Sequence, residues 1–156
     1  MILPLLLQVT PVAPIVKGTA LPPPETTEAA VLAPLTALLA ALETSDGAAV
    51  LAQTLPDGAV TATRTAPDGK PQRRTVRWAE FAAQLKPESG RITERIGQPA
   101  IEVDDNAAMI WAPYTVTIDG KLSHCGYDHV DLVRTEAGWK ILNLTYSHRT
   151  DGCSAP

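Results

Sequence analysis

Apolar and polar positions alternate along the last third of the chain with the period of two that is typical of β-strands. Two turn signals divide this region. Asp119-Gly120 favours a type I′ hairpin turn, which needs a positive φ at both central residues, and residues 136–138 supply a second turn with Gly138. The pattern therefore predicts a meander of three antiparallel strands, of which the first is the long strand 107–118.

Helical spacing dominates the first half of the chain. One apolar stripe of Val31, Leu35, Leu38, Leu39 and Leu42 predicts a helix over 25–44. Pro34 is expected to kink this helix or to move its firm start to Ala33. A second helix is predicted at 76–85, with apolar positions at Trp78, Phe81, Ala82 and Leu85. The remaining predicted elements are a short helix at 48–55, a strand pair at 59–65 and 71–74, and strands at 91–97 and 100–103. This order predicts an α+β fold with helices on one face of a curved sheet.

The turns also predict the register of the meander. Pairing of Ile118 with Lys121 and of Arg134 with Trp139 divides the side chains between two faces. The first face carries Met109, Trp111, Leu122, His124, Asp128, Val130, Leu132, Ile141, Asn143 and Thr145. The second face carries Ile110, Ala112, Tyr114, Cys125, Tyr127, His129, Leu142, Leu144, Tyr146 and His148. A bulge, for example at Pro113, would shift the register by one residue and exchange the faces.

Composition narrows the classes of function. The chain of 156 residues has a net charge of −4, 45% apolar and 19% charged residues, which fits one globular domain and argues against a nucleic-acid partner. No stretch approaches the roughly 20 apolar residues of a membrane span. Residues 1–24 resemble a secretory signal followed by a Pro-rich linker, and a disordered tail is the alternative. We therefore expect a periplasmic or secreted protein, with a cytoplasmic location as the alternative.

With these residues in view, the chain resembles the nuclear transport factor 2-like superfamily, and within it the SnoaL-like, lumazine-binding bacterial branch. The resemblance covers about Thr27 to Cys153. Its most specific parts are residues 109–126, Asp128, residues 132–141, Arg149 and Gly152-Cys153. It implies a cone-shaped α+β fold in which a strongly bent antiparallel sheet encloses one pocket, with N-terminal helices packed on its concave face. It also implies frequent dimerisation through the sheet.

Asp128 is the first candidate for chemistry. Catalytic members of the superfamily use a pocket carboxylate as general base, its pKa raised by apolar neighbours. The alternative is a structural aspartate that bonds Thr145 or a backbone amide. His124 shares its predicted face, about 13 Å away along the strand, so a bridging substrate would be needed for the two to act together. The alternative for His124 is a structural histidine.

The predicted face defines the expected ligand pocket. It would be lined by Met109, Trp111, His124, Asp128, Val130, Asn143 and Thr145. The three histidines do not share one predicted face, and no Cys-x-x-Cys or His-Glu-x-x-His spacing occurs, so we expect neither a metal nor another cofactor. The expected function is the binding of a small, mostly apolar organic molecule. A cofactor-independent isomerase, dehydratase or cyclase with Asp128 as general base is the alternative.

Two further expectations concern assembly. The apolar second face, with Leu142, Leu144 and Tyr146, is expected to form a homodimer interface unless another part of the chain covers it. The two cysteines, Cys125 and Cys153, are expected to form a disulfide, because Asp151-Gly152 can reverse the chain after the last strand. Two free thiols are the alternative.

Overall fold

The computed structural model describes residues 24–87 and 90–153. The elements in chain order are α1 (Pro24–Glu43), α2 (Gly47–Gln53), β1 (Thr54–Thr65), β2 (Pro71–Arg77), α3 (Trp78–Gln84), β3 (Ile92–Ile96), β4 (Ala100–Asp104), β5 (Ala107–Ile118), β6 (Lys121–Thr135) and β7 (Gly138–Ser147). This order confirms the α+β layout predicted from the sequence. Pro34 lies inside α1. The predicted signal or linker covers residues 1–24, which lie outside the described residues except for Pro24, the first residue of α1.

All seven strands belong to one sheet with the order β2-β1-β7-β6-β5-β3, and β4 also pairs with β5. The pairs are antiparallel except for β1 and β7, which run parallel. The expectation of a purely antiparallel sheet is therefore corrected at one pair. Parallel neighbours require a long connection, and the five strands and one helix between β1 and β7 provide it.

The helices cover one face of this sheet and form the core with it. Val31, Leu35 and Leu38 of α1 are fully buried, together with Ile110 of β5 and Ile141 of β7. Trp78 opens α3, is completely buried, and donates its indole N–H to the carbonyl oxygen of Leu142 at 2.8 Å. The apolar face predicted for α3 therefore packs inward as expected. Among the residues that the structure describes, no helix is long and apolar enough to cross a membrane.

Both turns of the meander have the predicted register, with Ile118 opposite Lys121 and Arg134 opposite Trp139. Asp119 and Gly120 both have positive φ, as a type I′ turn requires. Each hairpin then contains one extra residue. Val116 pairs with His124, which leaves Ser123 of β6 unpaired, and in the second hairpin Leu142 of β7 is the extra residue.

Each bulge inserts one residue, which moves every following side chain to the other face of the sheet. Beyond the bulges, each residue of β6 therefore lies opposite a residue of β5 and of β7 that was predicted for the other face. The row predicted as Trp111–Asp128–Thr145 is instead Ala112–Asp128–Tyr146. The concave face therefore carries residues from both predicted faces. They are Ile110, Ala112, Tyr114 and Val116 of β5, His124, Asp128, Val130 and Leu132 of β6, and Ile141, Leu144 and Tyr146 of β7.

The chain that follows β7 is tied to β6. The predicted disulfide between Cys125 and Cys153 is present. Arg149 and Cys125 exchange two backbone hydrogen bonds, each 3.0 Å long, and Gly152 has a positive φ of 62°. The chain therefore reverses at the dipeptide Asp151-Gly152, where the sequence predicted that it would.

Candidate functional site

A cavity of about 160 Å³ lies between the helices and the concave face of the sheet. Most of its wall is apolar, and five of its lining residues have side chains that can exchange protons. The lining residues are Leu42, Val60, Phe81, Leu85, Ile92, Glu94, Tyr114, Val116, His124, Asp128, Leu144 and Tyr146. Apolar cavities of about 150 Å³ hold a benzene-sized molecule, so this cavity has room for a small organic ring.

Asp128 occupies the centre of the wall formed by β6. Its side chain is 2% exposed, and its neighbours across the sheet are Ala112 and Tyr146. The Oδ2 atom is buried, and among the described residues no amide, hydroxyl or cationic N–H donor reaches it. A structural aspartate is normally held by donors, since an unsatisfied buried charge is strongly unfavourable. The predicted partner Thr145 lies on the opposite face of the sheet, and no backbone amide of the described residues reaches Oδ2, so neither partner proposed for a structural Asp128 binds this atom.

Glu94 of β3 faces Asp128 across the cavity, and sequence reasoning missed it. The two carboxyl groups are close enough to form a hydrogen bond with each other, which requires that one of them carry a proton. The spacing of apolar residues in β3 could have predicted that the Glu94 side chain faces inward. This residue lies midway between Ile92 and Ile96, so the period of two puts it on the apolar face of its strand.

The two carboxyl groups have different affinities for protons. Burial raises the pKa of Asp128 to about 6, and the hydrogen bond with Glu94 opposes this rise. The pKa of Glu94 is raised well above 4.5, first by burial and then by the charge of Asp128 and the hydrogen bond with it. Burial thus raises the pKa of both groups, and where the pair retains one proton, Glu94 carries it and donates to the Asp128 carboxylate.

Two tyrosines complete the polar part of the wall. The Tyr114 hydroxyl donates to the carbonyl oxygen of Ser147 at 2.8 Å, and its ring packs edge-on against Tyr146. Burial raises the pKa of both phenols, with further contributions from the charges of Asp128 and Glu94. Both phenols therefore stay protonated at neutral pH. Among the described residues no hydrogen bond engages the Tyr146 hydroxyl, so it can donate to a ligand.

His124 lines the same cavity as Asp128, as the sequence predicted for both residues. The hydroxyl of Ser123 lies 3.1 Å from His124 Nδ1, and the imidazole stacks on His148 with a centroid distance of 4.3 Å. Burial, with the charge of His148 second, lowers the pKa of His124 to about 4, so the ring is neutral at pH 7. The expectation that His124 and His148 point to opposite faces is wrong, because the bulges exchange the faces.

The other predicted pocket residues lie elsewhere. Met109, Trp111, Asn143 and Thr145 are on the convex face, where Trp111 is 45% exposed and stacks on Tyr127. Val130 is on the concave face but is packed into the core. Leu144 and Tyr146, predicted to form the dimer interface, line the cavity instead. The two bulges account for each of these differences. In residues 24–87 and 90–153, no group of three His, Cys, Asp or Glu side chains could hold a metal ion.

Neither a family model nor a curated protein matches the chain. Solved structures do resemble it. A protein of unknown function with a cystatin-like fold from Nostoc punctiforme has a TM-score of 0.63 at 12% identity, over 80% of this chain and 92% of that one. A nuclear transport factor 2-like protein with a cystatin-like fold from Novosphingobium aromaticivorans has a TM-score of 0.63 at 16% identity, over 81% and 84% of the two chains.

A third solved structure has a more specific description. The ketosteroid isomerase-like protein from Erwinia carotovora atroseptica has a TM-score of 0.57 at 19% identity, over 78% of this chain and 95% of that one. Similarity at these identities concerns the fold. The chain therefore has the α+β fold of nuclear transport factor 2-like proteins, which is also called cystatin-like.

Proposed function

We propose that this protein binds a small, mostly apolar organic molecule in its cavity and moves a proton on that molecule without a cofactor. Asp128 is the general base. The observation that carries the proposal is its buried carboxylate, which faces a largely apolar cavity and whose Oδ2 receives no amide, hydroxyl or cationic N–H donor from the described residues. Catalytic bases work best when their pKa lies near the operating pH, and the pKa of about 6 for Asp128 satisfies this condition.

The proposed reaction is an isomerisation through an enol. Asp128 removes a proton from the carbon between a carbonyl group and a carbon–carbon double bond, and the negative charge that develops moves to the carbonyl oxygen. The Tyr146 hydroxyl, a neutral acid that lines the cavity, donates a hydrogen bond to this oxygen. Asp128 then returns the proton to a different carbon. The atoms balance without an external oxidant or metal.

The size of the cavity selects a probe for this reaction. A single six-membered ring suits a volume of about 160 Å³, so the probe is 3-cyclohexen-1-one, which isomerises to the conjugated 2-cyclohexen-1-one. Conjugation creates an ultraviolet absorbance that follows the reaction directly. We expect the wild-type protein to accelerate isomerisation and Asp128→Asn to reduce the rate at least a hundredfold.

Asp131→Asn is the matched control. Asp131 lies three residues further along β6, on the convex face, and is partly exposed, so its replacement should leave the rate unchanged. Equal rates for wild type and Asp128→Asn would refute the role of Asp128. NMR line broadening would detect binding of the ketone. Binding without isomerisation would contradict the proposed catalysis and support the alternative, which is ligand binding without chemistry.

That alternative is binding without chemistry. Seven of the twelve residues around the cavity are aliphatic or phenylalanine side chains, and this lining supports a binding or accessory protein as the second candidate. Native mass spectrometry of the recombinant protein tests it. A co-purified ligand that Leu144→Trp excludes would support binding in the cavity, because the larger side chain fills the space. Retention of the ligand by this variant would place it elsewhere.

We further propose that the chain belongs to the SnoaL-like, lumazine-binding branch and acts in the periplasm or outside the cell. Similarity in residues 109–126 and 132–141 supports the branch. The Cys125–Cys153 disulfide supports an oxidising compartment. Fractionation of a bacterium that produces the full chain tests the location, and recovery in the cytoplasm with two reactive thiols would contradict it.

We also propose a homodimer, now through the convex face. Trp111 and Tyr127 stack there with ring centroids 5.2 Å apart, and both rings are substantially exposed. Burial of such an aromatic pair between two copies would remove it from water. Light scattering at micromolar concentration tests this proposal. A dimer that Trp111→Asp dissociates is expected, and a monomeric wild type would contradict it.

A further inference from the structure

The concave face continues beyond the cavity into a second, polar depression, which we call the basic groove. Its volume is about 650 Å³. Strands β1 and β2 and the chain after β7 form its walls. The residues that define it are Thr63, Arg64, Gln72, Arg73, Arg74, His148 and Arg149. Four of the thirteen basic residues of a chain with a net charge of −4 therefore line one groove.

The arginines of the basic groove are not neutralised within the described part of the chain. None of the ion pairs found there includes Arg64, Arg73, Arg74 or Arg149. Two of them are instead held by neutral amides. Arg64 Nε donates to Gln72 Oε1 at 2.8 Å, and Arg74 Nη2 donates to Gln84 Oε1 at 3.1 Å. Among the described residues that line the groove and its far end, Asp151, at the far end, is the one acidic residue. The guanidinium groups are thus oriented and keep free donors.

One wall of the groove is firmly fixed to the sheet. Arg149 exchanges two backbone hydrogen bonds with Cys125, and the disulfide to Cys153 holds the chain just beyond it. His148 stacks on His124, which lines the cavity. The stacked imidazoles therefore stand at the boundary between the cavity and the groove.

The sheet register gives the distance between the groove and the catalytic candidate. Arg74 lies opposite Ala62, Ala62 opposite Tyr146, and Tyr146 opposite Asp128, so these four residues form one row across four strands. Neighbouring strands are about 4.8 Å apart, which separates the backbones of Arg74 and Asp128 by about 14 Å. The long arginine side chain shortens the gap. A molecule with a ring at Asp128 and an anionic group a few bonds away can therefore reach both.

We propose that the natural ligand is a small amphipathic acid, whose apolar part enters the cavity and whose carboxylate or phosphate is bound by the arginines of the basic groove. This inference rests on the proposed function, because it assigns a chemical class to the ligand of the same cavity. Guanidinium groups suit both anions, since each presents paired donors to two oxygens. The concave shape and the small number of arginines fit a small molecule.

The test compares two probes that differ only in charge. 4-Phenylbutyrate carries a benzene-sized ring and, after three methylene groups, a carboxylate, and 4-phenylbutanamide is its neutral counterpart. Calorimetric titration at pH 7.5 and low salt should show at least tenfold tighter binding of the acid. Arg74→Gln should remove most of this preference and leave the affinity for the amide unchanged. Arg134→Gln, an exposed charge at the other end of β6, is the matched control and should keep the full preference.

The possible results separate this inference from the proposed function. Equal affinities for acid and amide would overturn the anion site while leaving ligand binding in the cavity intact. Butyrate binding as tightly as 4-phenylbutyrate would show that the groove acts alone and would overturn the link to the cavity. Absence of binding by both ring-bearing probes would overturn the inference and count against the proposed function. 4-Phenylbutyl phosphate, titrated in the same way, distinguishes a preference for phosphate from one for carboxylate.

Discussion

Replacing Asp128 by asparagine should stabilise the protein at neutral pH. The carboxyl is buried, and its pKa rises from 3.8 to about 6 on folding. Each pKa unit corresponds to about 1.36 kcal/mol, so the ionised side chain destabilises the folded state by about 3 kcal/mol, taken as an upper figure. Asparagine has nearly the same shape and carries no charge, so the variant avoids this cost.

The pH dependence of the effect has a definite sign. Because the folded-state pKa is the higher one, the stability contribution of Asp128 is fully present below about pH 4 and is lost as the pH rises through 6. His124 acts in the opposite direction. Its pKa is lowered to about 4 in the folded state, so its contribution is lost as the pH falls from 6.5 to 4. His124 is common to variant and wild type, so the difference between them reports on Asp128 together with Glu94, whose raised pKa depends in part on Asp128.

Urea unfolding from pH 4 to pH 8 measures this difference. The advantage of Asp128→Asn should be small at pH 4, should grow between pH 4 and 6, and should be constant above pH 7. Asp131→Asn, on the convex face and 43% exposed in its side chain, should stay within about 0.5 kcal/mol of wild type throughout. A variant that is less stable than wild type by the same amount at every pH would refute the reasoning, because it would show a carboxylate held by favourable partners.

Three further changes test other parts of the structure. Glu94→Leu removes the hydrogen bond that lowers the pKa of Asp128. In the wild type we expect kcat/KM for 3-cyclohexen-1-one to fall below about pH 6, and in this variant the fall should begin at a higher pH. An unchanged pH profile would count against the carboxyl pair. Gly126→Ala would bring a Cβ to 1.8 Å from the backbone carbonyl oxygen of Ser147 on the neighbouring strand β7. Thermal melting should therefore show a severe loss of stability, and an unaltered Tm would contradict the close approach. Cys153→Ser removes the disulfide that closes a loop between residues 28 positions apart. Urea unfolding should show that the free energy of unfolding falls by roughly 3–4 kcal/mol. An unchanged free energy would indicate that the disulfide is absent in solution.

Local signals in the sequence were sufficient for the elements and for both turns of the meander. The dipeptide Asp119-Gly120 and the turn before Trp139 determine the pairs that close each hairpin, because short-range backbone geometry decides them. The bulges at Ser123 and Leu142 had no such local signal. The carbonyl of Leu142 accepts the indole N–H of Trp78, which lies 64 residues away in sequence, so a tertiary contact accompanies the irregularity.

The candidate site was predictable only where it depended on local sequence signals within one strand. Asp128 and His124 are both on β6 and four residues apart, so their shared face survives any shift of the neighbouring strands. The residues predicted from β5 and β7 depended on the register and were displaced. Glu94 lies on β3, which pairs with the far side of β5, and only the folded sheet brings its carboxyl group to Asp128.

The proposed mechanism requires that two buried carboxyl groups, Asp128 and Glu94, share one proton, because burial raises the pKa of both. NMR titration of the side-chain carboxyl carbons in ¹³C-labelled protein, assigned with Asp128→Asn and Glu94→Gln, tests it most directly. The account predicts one resonance that titrates near pH 6 and a second that titrates well above 4.5. Titration of both groups at or below pH 4 would contradict it, because both would then be ionised at neutral pH, with no proton between them.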